Sequence, residues 1–298
     1  MKSEIKNLRL PALIAAALCA TLSTYAVPAS VDGTVSPVQS KADPLQLSIV
    51  GPVMAAGSDA ASKQFDNTVL PSAIKYVLAN LPEGQNNSLS QPVVAVDPAK
   101  LVLASKTDLQ AIFIDEGAGY HNTLGFNTTG IGTQSGDPQI IFPDVSSTVG
   151  YGGAGTGTRT PSEPLLPGDF VDLGTYNAGT KLNFFIISNG ANGGSSVFSS
   201  AGAASNPDDF QHVGMFTPNM FAVPQLNSPY IFVTFEDLYG GGDKDYNDVV
   251  FAFNVGAATV HSLLATPEPS MYLTLGGFLA MGIWAKRRMD RLAAVRQA

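Results

Sequence analysis

The chain has little cysteine and little charge, and its apolar runs are short. Its single cysteine, Cys19, lies near the start of the 298 residues, so the remainder has no thiol for a disulfide, a soft-metal site or a nucleophile. Residues 27–265 carry 8 Lys or Arg against 21 Asp or Glu, a net charge of −13. That charge argues against nucleic acid and anionic lipid as partners of this region.

Glycine and proline are abundant, with 30 and 20 residues respectively, which indicates many turns and short strands. Period-two alternation of β-branched and aromatic residues recurs between clusters of Gly, Pro and Asn. We expect an all-β fold for residues 93–256, an antiparallel β-sandwich or jelly-roll-like domain. The predicted strands are Val93–Val96, Leu109–Ile114, Tyr120–Phe126, Gln139–Phe142, Asp169–Leu173, Leu182–Ser188, His212–Phe216, Tyr230–Phe235 and Val249–Val255.

Residues 27–92 show weaker periodicity. They are rich in Ala, Ser, Pro and Val at first, and we interpret them as a loosely ordered N-terminal lead with an edge strand at Leu45–Val50. Pro71 suits the first turn of a helix. An apolar stripe follows it and predicts one short helix that packs against the sheet: Ile74, Val77, Leu78 and Leu81.

The stretch Tyr230–Val255 reads as a strand, an acidic glycine-rich loop and a second strand. Both arms are apolar on both faces, which indicates central strands covered on each side. Oxygen-rich side chains crowd the loop and predict a calcium site. The candidate ligands are Glu236, Asp237, Asp243, Asp245, Asn247 and Asp248. The alternative is a solvated acidic turn with Asx caps.

The loop is not an EF-hand. Asp243, Asp245 and Asn247 fall at i, i+2 and i+4, which resembles the first three ligands of that motif. Asp248 then replaces the required glycine, and Asn254 stands where the bidentate Glu belongs. Two further acidic pairs, Asp115–Glu116 and Asp208–Asp209, would either complete a calcium shell or remain surface carboxylates.

The first 26 residues have the three parts of a secretory signal peptide. A basic start precedes a short apolar segment, residues 11–22, and small residues at the −3 and −1 positions predict cleavage by signal peptidase after Ala26. Cleavage after Ala29 is the alternative. Lipid attachment at Cys19 would need a small residue before the cysteine. That residue is Leu18, which argues against a lipoprotein.

The last 42 residues end in three ordered elements: Pro267-Glu268-Pro269, an apolar segment at 271–285, and a basic tail at 286–298 that opens with Lys286, Arg287 and Arg288. We expect the apolar segment to be a transmembrane helix, with residues 257–266 as a spacer before it. The basic tail places the C-terminus in the cytoplasm and the preceding domain outside.

This C-terminal arrangement resembles the PEP-CTERM sorting signal of Gram-negative bacteria. The resemblance implies that an exosortase, an integral-membrane cysteine protease, cuts near the P-E-P motif. The protein would then be exported across the inner membrane, held there transiently by its C-terminal helix, and delivered to the cell surface or the extracellular matrix.

Residues 93–256 resemble an uncharacterised bacterial extracellular domain family. The resemblance rests on FIDEGAGYHNTLGF, IIFPD, LPGDFVDLG, LNFFIISNG and, most specifically, FEDLYGGGDKDYNDVVF. It implies a secreted domain and assigns no activity.

These observations favour a structural or adhesive envelope protein, stabilised by calcium and able to bind extracellular polysaccharide, rather than an enzyme. The sequence has neither a nucleophile elbow nor a zinc-binding His pair. The alternative is a carbohydrate-active hydrolase that uses a pair among Asp115, Glu116, Glu236 and Asp237. A binding module would show an exposed aromatic platform, for which the candidates are Tyr120, Tyr151, Tyr239 and Tyr246.

Overall fold

A computed structural model describes residues 34–84, 96–129, 136–153, 155, 157–217 and 228–265. The described chain is mostly β, with two five-stranded sheets and few helices. The strands are β1 Ser48–Ile49, β2 Thr107–Asp115, β3 Thr123–Thr129, β4 Gln139–Phe142, β5 Phe170–Tyr176, β6 Lys181–Ile187, β7 Val197–Ser199, β8 Val213–Phe216, β9 Tyr230–Phe235 and β10 Val249–Asn254. The α-helices are α1 Ala60–Thr68, α2 Leu70–Asn80 and α3 Ala257–Ala265.

The first sheet has the strand order β1-β4-β3-β6-β7, and the second has the order β5-β2-β10-β9-β8. All pairings are antiparallel except that of β1 with β4, which is parallel. The first sheet is therefore mixed, where the sequence predicts antiparallel pairing. The short β1 lies at the edge of this sheet, inside the predicted edge strand Leu45–Val50.

One apolar core lies between the two sheets. Phe142 of the first sheet stacks on Phe251 of the second, with ring centroids 5.5 Å apart. Phe184 stacks on Phe253 in the same way at 3.8 Å. Stacked aromatic pairs of this kind add to the free energy that burial of their area contributes. The alternating apolar residues of β10 thus join the two sheets.

The other face of the second sheet is covered by α1 and α2. Phe65 of α1 packs edge-on against Tyr230 at 4.9 Å, and Tyr76 of α2 lies 5.1 Å from Phe216. Every residue of β9 is buried. The expectation that these central strands are covered on both sides is confirmed.

The helical layer contains two consecutive helices where the sequence predicts one. The additional helix α1 is capped by Asp59, the residue before it, whose side chain accepts from the Ser62 N–H at 2.6 Å in a capping box. In α2 the buried face is centred on Ala73, Tyr76 and Val77. Leu78, part of the predicted stripe, is 44% exposed.

The remaining helix, α3, follows β10 and occupies the predicted spacer. Within the described residues no helix is both long and apolar enough to cross a membrane. The predicted signal peptide, the predicted transmembrane segment and basic tail, and the sorting residues Ala26, Pro267, Glu268, Pro269, Lys286, Arg287 and Arg288 lie outside the described residues.

Candidate metal centre

The acidic loop, residues 236–248, connects β9 to β10 at one end of the second sheet. Phe235 pairs with Val249, so the two ends of the loop leave the sheet side by side. The Asp237 N–H donates to Asp248 Oδ2 at 2.7 Å. This hydrogen bond closes the base of the loop.

The backbone of the loop folds around one carboxylate. Positive φ angles occur at Gly240, Gly241, Gly242, Lys244 and Tyr246, and each left-handed non-glycine residue costs about 1–2 kcal/mol. From Gly242 to Tyr246 positive φ alternates along the chain, an arrangement that turns successive N–H groups toward one centre. Glu236 Oε1 accepts from the Tyr246 N–H at 2.5 Å. Glu236 therefore organises the loop from within.

Three carboxylates converge at the outer side of the loop. Oxygens of Glu83, Asp243 and Asp245 all lie within 4.8 Å of one another. Among the described residues this is the only set of three acidic, His or Cys ligand atoms that meets that distance. Asp245 is buried, whereas Glu83 and Asp243 are exposed to solvent.

The segment that follows α2 is tied to the loop by hydrogen bonds. Asn247 Nδ2 donates to the Leu81 carbonyl at 3.0 Å and to Glu83 Oε2 at 3.3 Å. Asp245 Oδ2 accepts from the Gly84 N–H at 2.8 Å. These bonds hold Glu83 beside two aspartates that are far away in the sequence.

Three carboxyl groups of the loop, those of Glu236, Asp245 and Asp248, are wholly or partly buried. Burial raises the pKa of Glu236 to about 8, and the charges of Asp245 and Asp243 act in the same direction. Burial also raises the pKa of Asp245 to about 6, and burial together with the charge of Asp237 raises that of Asp248 to about 9. A bound cation would favour the ionised forms and offset this cost.

Two further observations indicate where positive charge is needed. Glu236 is fully buried, and its Oε2 has no hydrogen-bond partner among the described residues. That oxygen lies close to Gly242, the residue before Asp243, since a Cβ added to Gly242 would be 3.2 Å from it. The basic residue of the loop, Lys244, extends over the Phe210 ring, with Nζ 5.1 Å from its centroid.

A histidine and an aspartate hold the loop to β8. His212 is fully buried, with Nδ1 2.9 Å from the Glu236 carbonyl and Nε2 2.8 Å from Asp208 Oδ2. Asp208 Oδ2 also accepts from the Gly240 N–H at 2.6 Å. Burial opposes ionisation of Asp208, but the hydrogen bonds from Gly240 and His212 lower its pKa below the usual range.

The structure separates the six predicted ligands by role. Asp243 and Asp245 contribute to the cluster, and Asn247 positions Glu83 through its amide. Glu236 binds backbone within the loop. Asp237 and Asp248 form the hydrogen-bonded base, where Asn122 Nδ2 also donates to Asp237 Oδ2 at 2.7 Å.

Neither of the other predicted acidic pairs belongs to the three-carboxylate cluster. Asp208 contacts the loop as described, through Gly240, and Asp209 is exposed. Asp115 Oδ2 accepts from the Gly152 N–H at 3.0 Å, and Glu116 lines a separate cleft. Among the four carboxylates of the hydrolase hypothesis, Glu116 is the one that lines this cleft.

Sequence reasoning missed Glu83. Glu83 stands alone between Pro82 and Gly84, with no local pattern that marks it as a ligand. The one available signal is the Pro-Glu-Gly turn directly after a helix, which ends the helix and exposes the carboxylate.

Comparison with protein families gives one match. Residues 176–256 match the family model described as a domain of unknown function, DUF4114. The matched segment runs from the last residue of β5 past the end of β10 and includes the whole acidic loop. No curated protein and no solved structure matches the chain.

Proposed function

We propose that the protein is a secreted, exosortase-processed component of the cell envelope or extracellular matrix with a structural or adhesive role. Its two-sheet domain would be a β-sandwich stabilised by calcium at the acidic loop. The metal would be held by Glu83, Asp243 and Asp245.

The observation that carries the calcium part of this proposal is the convergence of the three carboxylates within 4.8 Å of one another. Carboxylate oxygens are the ligands that calcium prefers, and calcium takes six to eight oxygens. The three side chains supply at least three of these, and backbone carbonyls and water would supply the remainder. Neither Glu83 nor Asp243 forms an ion pair with a Lys, Arg or His of the described chain.

Calcium at this position would connect two parts of the fold. Glu83 belongs to the segment after α2, and the two aspartates belong to the β9–β10 loop. A shared ion would therefore fasten the helical layer to the second sheet. This role suits an extracellular protein, which meets calcium at higher and steadier concentrations than a cytoplasmic one.

Thermal unfolding of the full chain tests the proposal. Calcium at a hundred times its dissociation constant adds about 2.7 kcal/mol to the free energy of unfolding, which corresponds to a rise in Tm of about 5–10 °C for a domain of this size. The rise should saturate with calcium, vanish with excess chelator, and be lost in Asp243→Ala and Asp245→Ala.

Asp137→Ala serves as the matched control, because it removes an exposed carboxylate outside the cluster. It should retain the full calcium effect. An equal rise in Asp243→Ala and in Asp137→Ala would show that calcium acts on surface charge in general, and the proposal would fail.

The sorting part of the proposal rests on the ends of the sequence and has its own test. Intact mass of the protein recovered from outside the cells should lack residues 1–26 and the segment that follows Pro267-Glu268-Pro269. Replacement of the P-E-P motif by three alanines should leave the full C-terminus attached and the protein in the membrane fraction. Release of the alanine variant at its ordinary size would contradict exosortase processing.

A further inference from the structure

A polar cleft opens beside the loop that follows β2, outside the candidate metal cluster. Its volume is ≈ 350 Å³, and its lining includes Glu116, Tyr120, His121, Ser146, Tyr151 and Glu163. This volume is at the lower end of the range for pockets that take small ligands. Among the described residues, the lining contains two carboxyl groups and no Lys or Arg.

The charge of the cleft favours a cation. Burial, followed by the negative charges of Asp115, Asp144 and Glu163, raises the pKa of Glu116 to about 8 against the effect of a hydrogen bond from the Ser147 backbone. A cationic group in the cleft would stabilise the Glu116 carboxylate and would interact with Glu163 directly. The same field would repel phosphate, sulfate and uronic acids.

Two tyrosine rings in the lining add to this preference. Tyr120 is 40% exposed, and Tyr151 is held by its hydroxyl, which donates to the Leu81 carbonyl at 2.7 Å. The negative face of an aromatic ring attracts an ammonium group. The ring of Tyr151, held in this way, also offers a flat apolar surface to the C–H face of a sugar.

The lining also contains polar atoms that are available to form hydrogen bonds with a ligand. Ser146 is 5% exposed, and its buried Oγ has no hydrogen-bond partner among the described residues. His121 is oriented by Asp144, with Nδ1 3.3 Å from Asp144 Oδ2. This contact leaves the second ring nitrogen of His121, Nε2, for a ligand. A buried hydroxyl without a partner costs free energy that a bound ligand would recover.

We propose that this cleft binds an ammonium-bearing saccharide, a hexosamine unit with a free amine, at a site that adjoins the calcium cluster but uses none of its three carboxylates. The amine would lie between Glu116, Glu163 and a tyrosine face. The sugar hydroxyls would bond to Ser146 Oγ and His121. An alkyl amine would satisfy the carboxylates alone, and a neutral sugar would satisfy the hydroxyl partners alone.

Isothermal titration of the full chain in the presence of chelator tests this assignment. The probes are glucosamine, N-acetylglucosamine, glucose and cadaverine. Glucosamine should bind at least tenfold more tightly than each of the other three, because it alone combines a cationic amine with a ring of hydroxyls. Equal affinity for glucose, for N-acetylglucosamine or for cadaverine would overturn the proposal, as would no binding of glucosamine.

Variants locate the site. Glu163→Gln keeps the shape of the side chain and removes its charge, and it should weaken glucosamine binding at least tenfold. Asp137→Asn makes the same change in charge at an exposed residue outside the lining and should bind like the unmodified protein. Both variants should unfold at the temperature of the unmodified protein. Equal affinity of the two variants would show that the amine binds elsewhere.

Discussion

Two regions of the molecule bury aspartates in opposite ways. Asp169, which is fully buried, accepts two hydrogen bonds from the guanidinium of Arg159, one of them at 2.7 Å. It also accepts from the N–H groups of Ala56 and Leu166 at 3.1 and 2.9 Å. The acidic loop holds a larger number of carboxyl groups with a single basic residue, Lys244, which lies over Phe210 instead.

The difference indicates where the buried carboxylates need a cation that the protein itself does not supply. At Asp169 the protein supplies its own cation, so the buried charge is satisfied whatever the solvent contains. At the loop, burial and the negative charges of neighbouring carboxylates raise the pKa values of Glu236 and Asp248. We therefore expect the stability of the loop to depend on a bound metal or on bound protons.

The largest expected effect comes from removal of the cation that pairs with the buried Asp169. Arg159→Met would leave Asp169 buried without its counter-ion and should lower the free energy of unfolding by about 3–5 kcal/mol. Chemical denaturation in chelator and in calcium should give the same loss, because this ion pair is not part of the metal cluster.

Lys100→Met supplies the matched control for that variant. Lys100 pairs with Asp97 at the surface, with side chains 55% and 42% exposed, and exposed pairs contribute about 0–1 kcal/mol. A loss in Arg159→Met no larger than the loss in Lys100→Met would contradict the view that Asp169 depends on its cation.

The next effect, counted per pH unit, is the pH dependence that Glu116 gives to the free energy of unfolding. Its pKa is raised to about 8 in the folded protein from an ordinary value of 4.5, so between these values the folded state binds more protons than the unfolded state. The free energy of unfolding should therefore fall as pH rises through this window, with a contribution of up to about 1.4 kcal/mol per pH unit.

Glu116→Gln should remove that contribution, which denaturant unfolding from pH 5 to pH 8 would measure. The difference in slope between the two proteins should be the same with calcium as with chelator, because Glu116 lies outside the metal cluster. A difference in slope that appears in chelator alone would show that bound calcium affects the titration of Glu116. The cleft and the acidic loop would then not be independent.

The smallest effect tests the helical layer alone. Asp59→Ala removes the N-cap of α1 and should lower the free energy of unfolding by about 1 kcal/mol. The increment produced by calcium should remain unchanged, because Glu83 follows α2 rather than α1. Loss of the calcium increment in this variant would mean that the whole helical layer, and not its last turn, positions the metal.

The strands were the predictable part of the fold. Period-two alternation located Gln139–Phe142 and both arms of the acidic loop, because covered strands need apolar residues at regular spacing. The short β7 was missed, since Phe198 is the only residue of that strand that is buried. Helix α1 was missed because its buried residues are Ser62 and Phe65, which do not form an apolar stripe.

The candidate site was predictable only within the loop. Asp243 and Asp245 were found because oxygen ligands at alternate positions form a local pattern. Glu83 reaches them through the packing of α2 on the second sheet, and no local pattern encodes that contact. The roles of Asp237 and Asp248 at the base of the loop also depend on strand register, which brings the two ends of the loop together.

Calcium titration of the full chain, first stripped with chelator, tests the central claim most directly. We expect saturable binding in the unmodified protein and in Asp137→Asn, and at least tenfold weaker binding in Glu83→Gln, a loss of about 1.4 kcal/mol. Glu83 is exposed, so its replacement should leave the fold intact. Absence of calcium binding, or equal affinity in Glu83→Gln and the unmodified protein, would contradict the account.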